Sequence, residues 1–130
     1  MVIVTYDSNK HQSLLINLFD LRTLPYSVLD NLPVLGLIAL EDNKPIALGF
    51  LRRVEGNYGM LDSYITNPLE SKELRHEALD GITSKLIILA KDLKIEQLFN
   101  FTADKGILSR AERHGFKTYT SYRYQYLSTK

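Results

Sequence analysis

The chain has 130 residues, 45% hydrophobic and 24% charged, with a formal net charge of +1 and no cysteine. That length suits one domain over 1–130, able to bury roughly two-thirds of the surface its unfolded form would expose, and the composition is that of a folded protein rather than a disordered one. The near-zero charge argues against nucleic acid or an anionic membrane as partner, and the lack of cysteine excludes disulfides, thiolate zinc sites and cysteine nucleophiles. No signal-peptide pattern or 18-residue apolar run stands out, so the expectation is a cytoplasmic protein.

In chain order, residues 2–6 form a short β-rich run ended by the turn and cap residues Asp7, Ser8 and Asn9. Leu14, Leu15, Leu18, Phe19 and Leu21 then share one helical face, and Pro25 interrupts the helix. Residues 26–32 read as a short second helix capped by Ser27, with Val28, Leu29 and Leu32 turned inward and Pro33 as its end.

From Leu35 three β-type runs follow, joined by EDNK and EGN, which read as hairpin turns. Gly56-Asn57 suits a type II′ turn with glycine first, and Asp42-Asn43 tolerates the left-handed conformation. The third run stops at Asn67-Pro68, where Asn67 with Glu70 reads as a capping arrangement. A long helix comes next, because Leu74, Ala78, Ile82, Leu86 and Ala90 recur four apart. Gly81 inside it weakens the helix by about 1 kcal/mol relative to alanine. Residues 97–102 read as a strand and 104–114 as a helix with Ile107, Leu108 and Ala111 on one side, ended by Gly115. In the tail, 116–127, Tyr122, Tyr124 and Tyr126 alternate with Arg123, Gln125 and Leu127, as in a final strand with an aromatic face and a candidate homodimer contact. The expected fold class is α/β (α+β): a mixed, mostly antiparallel sheet with helices on both faces, in the order β-α-α-β-β-β-α-β-α-β.

His11, His76 and His114 lie on three elements without ligand spacing, so no metal site is expected. No serine or threonine sits in a nucleophile-elbow sequence.

That order, with three local motifs, resembles the GCN5-related N-acetyltransferases over essentially the whole chain. The segment SRAERHGF at 109–116 is similar to the family helix that ends in Gly-Phe, here Gly115-Phe116. In MLDSYITNP, Asp62 stands six positions before Pro68, as the family's acidic residue does on its fourth strand, and ILAKDLKIEQL at 88–98 matches the approach to the fifth. The resemblance implies acetyl-CoA held at a splay between the fourth and fifth strands and attack by an amine, from a small molecule, a protein N-terminus or a lysine. Asp62 is then the general base, and backbone N–H groups of Tyr64, Ile65 and Thr66 stabilise the oxyanion. Lys72, Arg75 and His76 become pyrophosphate contacts, and the acceptor lies near Tyr26 and Asp30.

Two departures stand out. In the family's glycine-rich phosphate turn, Ala78 and Asp80 replace glycines, and Glu70, Glu73 and Glu77 bring the wrong sign. Ala111 stands where many relatives carry the tyrosine that protonates the leaving thiolate, and Asp104 where they carry asparagine. The resemblance therefore leaves two expectations, an active N-acetyltransferase or a catalytically inactive fold serving as a binding or structural module, of the compact kind encoded by bacteriophages.

Overall fold

The protein is described by a computed structural model over residues 1–120, 123 and 125–129. Five strands, β1 (Val2–Thr5), β2 (Leu35–Glu41), β3 (Lys44–Val54), β4 (Tyr58–Thr66) and β5 (Gln97–Phe99), lie in sequence order across one sheet. The first four form an antiparallel meander; β5 returns parallel to β4 after the crossover helix α2 (Lys72–Asp92). Alternation of side chains across the sheet splits the core in two. On one face α1 (Ser8–Arg22) seats Leu15, Leu18 and Phe19 against Ile38, Leu48, Phe50 and Ile65. On the other, α2 seats Ala78, Ile82, Leu86 and Ala90 against Ala39, Leu51 and Leu61. The helix α3 (Lys105–Arg113) follows β5.

Local chemistry differs from expectation at five points. Val54 pairs with Tyr58, so the second hairpin has a three-residue loop, 55–57, rather than a two-residue type II′ turn, and both Gly56 and Asn57 are left-handed, with φ of 80° and 64°. Asparagine tolerates that region. Residues Tyr26–Asn31 form a 3-10 helix preceded by Pro25, with no side-chain cap from Ser27. Val28 is exposed there, while Leu29 and Leu32 pack on the α1 side. The cap of α2 is Ser71, whose Oγ accepts from the Leu74 N–H, and not the Asn67-Glu70 pair. Asn67 instead buries its amide, donating to the Pro45 carbonyl and accepting from the Leu69 N–H, which closes β4.

At the far end, β5 stops at Phe99 rather than 102. Of the final strand expected over 116–127, Ser121, Tyr122 and Tyr124 lie outside the described residues, and the described part carries no strand. Gly115 does end α3, with φ of 98°. Among the described residues no helix is long and apolar enough to cross a membrane.

Candidate active site

Two irregularities in β4 open a cleft. The ladder to β5 ends at the Met60 and Phe99 pair, so beyond Met60 the outward backbone groups of β4 have no strand partner among the described residues. On its other side β4 bulges: Leu48 pairs with Ile65 but Phe50 with Asp62, which leaves Ser63 and Tyr64 opposite Gly49 alone. Ser63 takes the left-handed conformation, φ 55°, that such a bulge requires. The extra residue also reverses the alternation, so Tyr64 falls on the α2 face and Ile65 on the α1 face. Gly49 makes room for this, since a Cβ there would stand 2.7 Å from the Tyr64 ring and 2.8 Å from Ile82.

The resulting cleft has a volume of about 240 Å³ and runs between β4, at 61–64, and the chain leaving β5, at 100–102, with Thr83 of α2 and Arg110 and Ala111 of α3 closing it. Asp62 stands on its edge. Its Oδ2 accepts from Arg52 Nε at 2.5 Å and its Oδ1 from Ser63 Oγ at 3.2 Å, and Arg52 Nη2 also donates to the Asn31 carbonyl at 2.7 Å. The base candidate is thus tied both to β3 and to the 3-10 helix. Tyr64 Oη meets Thr83 Oγ1 at 3.0 Å. Burial pushes the Tyr64 phenol up to about 12, against the lesser downward pulls of the Thr83 hydrogen bond and the Arg110 charge, so it is a permanent hydroxyl at neutral pH.

Arg110 is the buried cation of the cleft, 7% exposed. Its Nη2 lies 2.6 Å from His76 Nδ1 and its Nε 3.4 Å from Asp80 Oδ1. A guanidinium only donates, so His76 accepts through Nδ1 and a neutral ring carries its proton on Nε2. Asp80 also meets Arg113 and His114 at 3.5 and 3.2 Å. This network pins α3 to α2 and offsets part of the cost of enclosing the charge, although the buried Arg110 Nε makes no hydrogen bond among the described residues.

The structure brings Asp62, Tyr64 and Ala111 together and disperses the other sequence candidates. Ile65 is buried under α1, and Thr66 is held by Arg22, which donates to its carbonyl at 3.0 Å and its hydroxyl at 2.5 Å. Lys72 begins α2 and is exposed, while Arg75 is half-buried with its Nε enclosed and, among the described residues, without a hydrogen-bond partner. Residues 75–80 are helix interior rather than a turn, so Ala78 is a core residue with 0% exposure. Asp104 caps α3 by accepting from the Ile107 N–H at 3.0 Å and lies outside the cleft lining. Tyr26 donates to Asp20 beside a separate shallow hollow under the end of α1. Among the described residues no group of acidic, histidine or cysteine side chains is placed to hold a metal.

Arg52, Thr83 and Arg110 were not anticipated. Arg52 was not legible from the turn as read: a two-residue loop at 56–57 sets Arg52 opposite Leu61, whereas the observed pairing of Val54 with Tyr58 sets it opposite Met60 and diagonal to Asp62 on the same face. Arg110 offered no signal, because its partners lie 34 and 30 residues away.

No protein-family model matches the chain, and no curated protein matches it by sequence. Solved structures do match it in fold. The ribosomal-protein-S18-alanine N-acetyltransferase from Escherichia coli superposes with a TM-score of 0.74 at 14% identity, over 98% of this chain and 84% of the other. A GNAT family acetyltransferase from Staphylococcus aureus gives 0.65 at 13% identity over 97% and 98%. Rv2747 from Mycobacterium tuberculosis, solved in complex with CoA, gives 0.69 at 16% identity over 96% and 76%. With its broken β4–β5 ladder and its cleft, the chain has the fold of the GCN5-related N-acetyltransferases.

Proposed function

We propose that the protein is an acetyl-CoA-dependent N-acetyltransferase whose reaction takes place in the cleft between β4 and β5. The observation that carries this reading is the coincidence, at one point of β4, of the ladder's end, the Ser63 bulge and the Asp62 carboxylate. The start of α2 fits the phosphate end of the cofactor by a separate observation, the enclosed and unpartnered Nε of Arg75 beside the helix N-terminus, with Lys72 next to it. When bound, acetyl-CoA supplies an activated acetyl group and a thiolate as leaving group.

The chain's own residues have defined tasks. Asp62, kept in place by Arg52 and Ser63, takes the proton that an ammonium must lose before it can attack, directly or through a water. The β4 amides left without a strand partner beyond Met60 face developing negative charge on the carbonyl oxygen. Tyr64 stays protonated and serves as a donor, while Ala111 offers no proton.

A second reading, a fold without catalysis, is favoured by one observation. Residues 75–80 are helical, so their N–H groups are spent within α2 and cannot cradle a phosphate. Calorimetric titration with acetyl-CoA, supported by a thermal shift with desulfo-CoA, separates the two. Ligand at a hundred times its dissociation constant stabilises the fold by about 2.7 kcal/mol. Saturable micromolar binding, followed by acetyl transfer to an amine that Asp62→Asn abolishes, supports the enzyme. Absence of binding at millimolar ligand leaves the module.

A further inference from the structure

The sheet face that α1 covers is open at its opposite corner. There Arg52, Met60 and Phe99 form one row of cross-strand partners on β3, β4 and β5. Strands lie about 4.8 Å apart, so the backbone positions of Arg52 and Phe99, two strands apart, are about 10 Å from each other, with both side chains rising from one surface. Phe101 stacks on Phe99 with ring centroids 6.0 Å apart, and Tyr58 meets Phe99 edge-on at 5.6 Å. Phe99 and Phe101 are 39% and 73% exposed, and Phe101 also lines the cleft. At the other end of the row the Arg52 and Asp62 side chains are 37% and 29% exposed. Arg52 has five N–H groups and uses its Nε and Nη2 on Asp62 and Asn31, so it keeps donors for a further anion.

A carboxylate and a guanidinium side by side, at the point where an amine has to arrive, complement a ligand that bears an ammonium and a carboxylate on one carbon. Two exposed rings beyond Met60 complement an apolar or aromatic side chain on that same carbon. We propose that the acceptor is a free α-amino acid with an aromatic or large apolar side chain. Its ammonium lies at Asp62, its carboxylate on Arg52 and its side chain over Met60 towards Phe99 and Phe101. A peptide N-terminus is a poor substitute, because its first carbonyl is a neutral amide and brings no charge to Arg52. In the reaction the amine nitrogen bonds to the acetyl carbon as the carbon–sulfur bond breaks. One ammonium proton passes to Asp62 before attack and on to solvent; the nitrogen loses a second as the carbon–sulfur bond breaks, and the leaving thiolate takes up one proton through solvent, giving an N-acetyl amino acid, CoA and one net proton. The chemistry rests on the acetyl-transfer reading; the binding rests on this sheet face alone.

The test is a calorimetric titration of the whole chain with L-phenylalanine, L-phenylalaninamide and phenethylamine, followed by acetyl-CoA. L-Phenylalanine is expected to bind at least about tenfold more tightly than the other two, about 1.4 kcal/mol. Arg52→Gln should erase that preference, Arg52→Lys should keep part of it, and Phe101→Ala should weaken L-phenylalanine more than glycine. Equal affinity for the three ligands, or no binding of L-phenylalanine at millimolar concentration, overturns the proposal. Selective binding of L-phenylalanine by a chain that ignores acetyl-CoA sustains the amino-acid site and sinks the transferase reading.

Discussion

The hydroxyls of Tyr64 and Thr83 meet at 3.0 Å, tying the bulged strand that floors the cleft to the helix above it. Because burial holds the Tyr64 phenol at about 12, against an ordinary value of 10, the folded chain keeps a proton that the unfolded chain has released anywhere between those two values. Stability from this source is whole below pH 10 and declines as pH rises to about 12 and beyond, by about 3 kcal/mol in all. Urea midpoints followed from neutral to strongly alkaline pH should show the decline in the parent. In Tyr64→Phe the decline should be smaller, with a loss of about 1 kcal/mol at neutral pH for the missing bond to Thr83.

Gly49, beneath α2, and Gly81, within it, should respond oppositely to alanine. At Gly49 the new methyl meets the Tyr64 ring and Ile82, both held in the packed layer between β4 and α2, so a loss of about 1–3 kcal/mol is expected. At Gly81 the close neighbour is the tip of Ile3 alone, at 2.6 Å, and an isoleucine terminus can rotate away. The helix gains up to about 1 kcal/mol from the exchange. Gly81→Ala should therefore unfold at or above the parent's urea midpoint; a loss as large as that of Gly49→Ala would contradict this account.

Arg75→Met is expected to separate binding from folding. The substitution removes an enclosed N–H without a partner and keeps the aliphatic bulk, so thermal stability should hold or rise. Acetyl-CoA affinity should fall by about tenfold or more, the effect of deleting a charge-assisted contact to phosphate. A variant that bound acetyl-CoA as well as the parent would remove Arg75 from the site.

Asp62→Asn is expected to lower kcat by about 10²–10⁴ while leaving acetyl-CoA binding unchanged. Its effect on folding should stay within about 1 kcal/mol, because Arg52 and Asp62 are both partly exposed and Arg52 keeps its bond to Asn31. Isothermal titration alongside initial rates distinguishes this from general disruption of the cleft, which would weaken both.

Much of this protein was written in local patterns. The four-residue recurrence from Leu74 to Ala90 determined α2 and its buried face, and Asp42-Asn43 and Gly56-Asn57 determined the two hairpins and so the β2–β4 meander. Gly115 determined the end of α3. These features need only neighbours three or four residues away, and side-chain periodicity records them directly. Asp62 was singled out through the resemblance to the acetyltransferases, and in the structure it lines the cleft.

Tertiary structure decided what the cleft is made of. Strict alternation from Leu61 would have turned Ile65 towards α2; the Ser63 bulge, set by pairing with β3, turned it towards α1 and placed Tyr64 beneath Thr83 instead. Arg75 to Asp80 read as a phosphate turn and became helix, because Ser71 capped α2 one turn earlier and carried Ala78 into the core. Arg52 acquired Asp62 through hairpin register, and Arg110 acquired His76 and Asp80 through the docking of α3 on α2. A strand's phase and a buried charge's partner depend on contacts between segments far apart in the chain, and no periodicity within either segment encodes them.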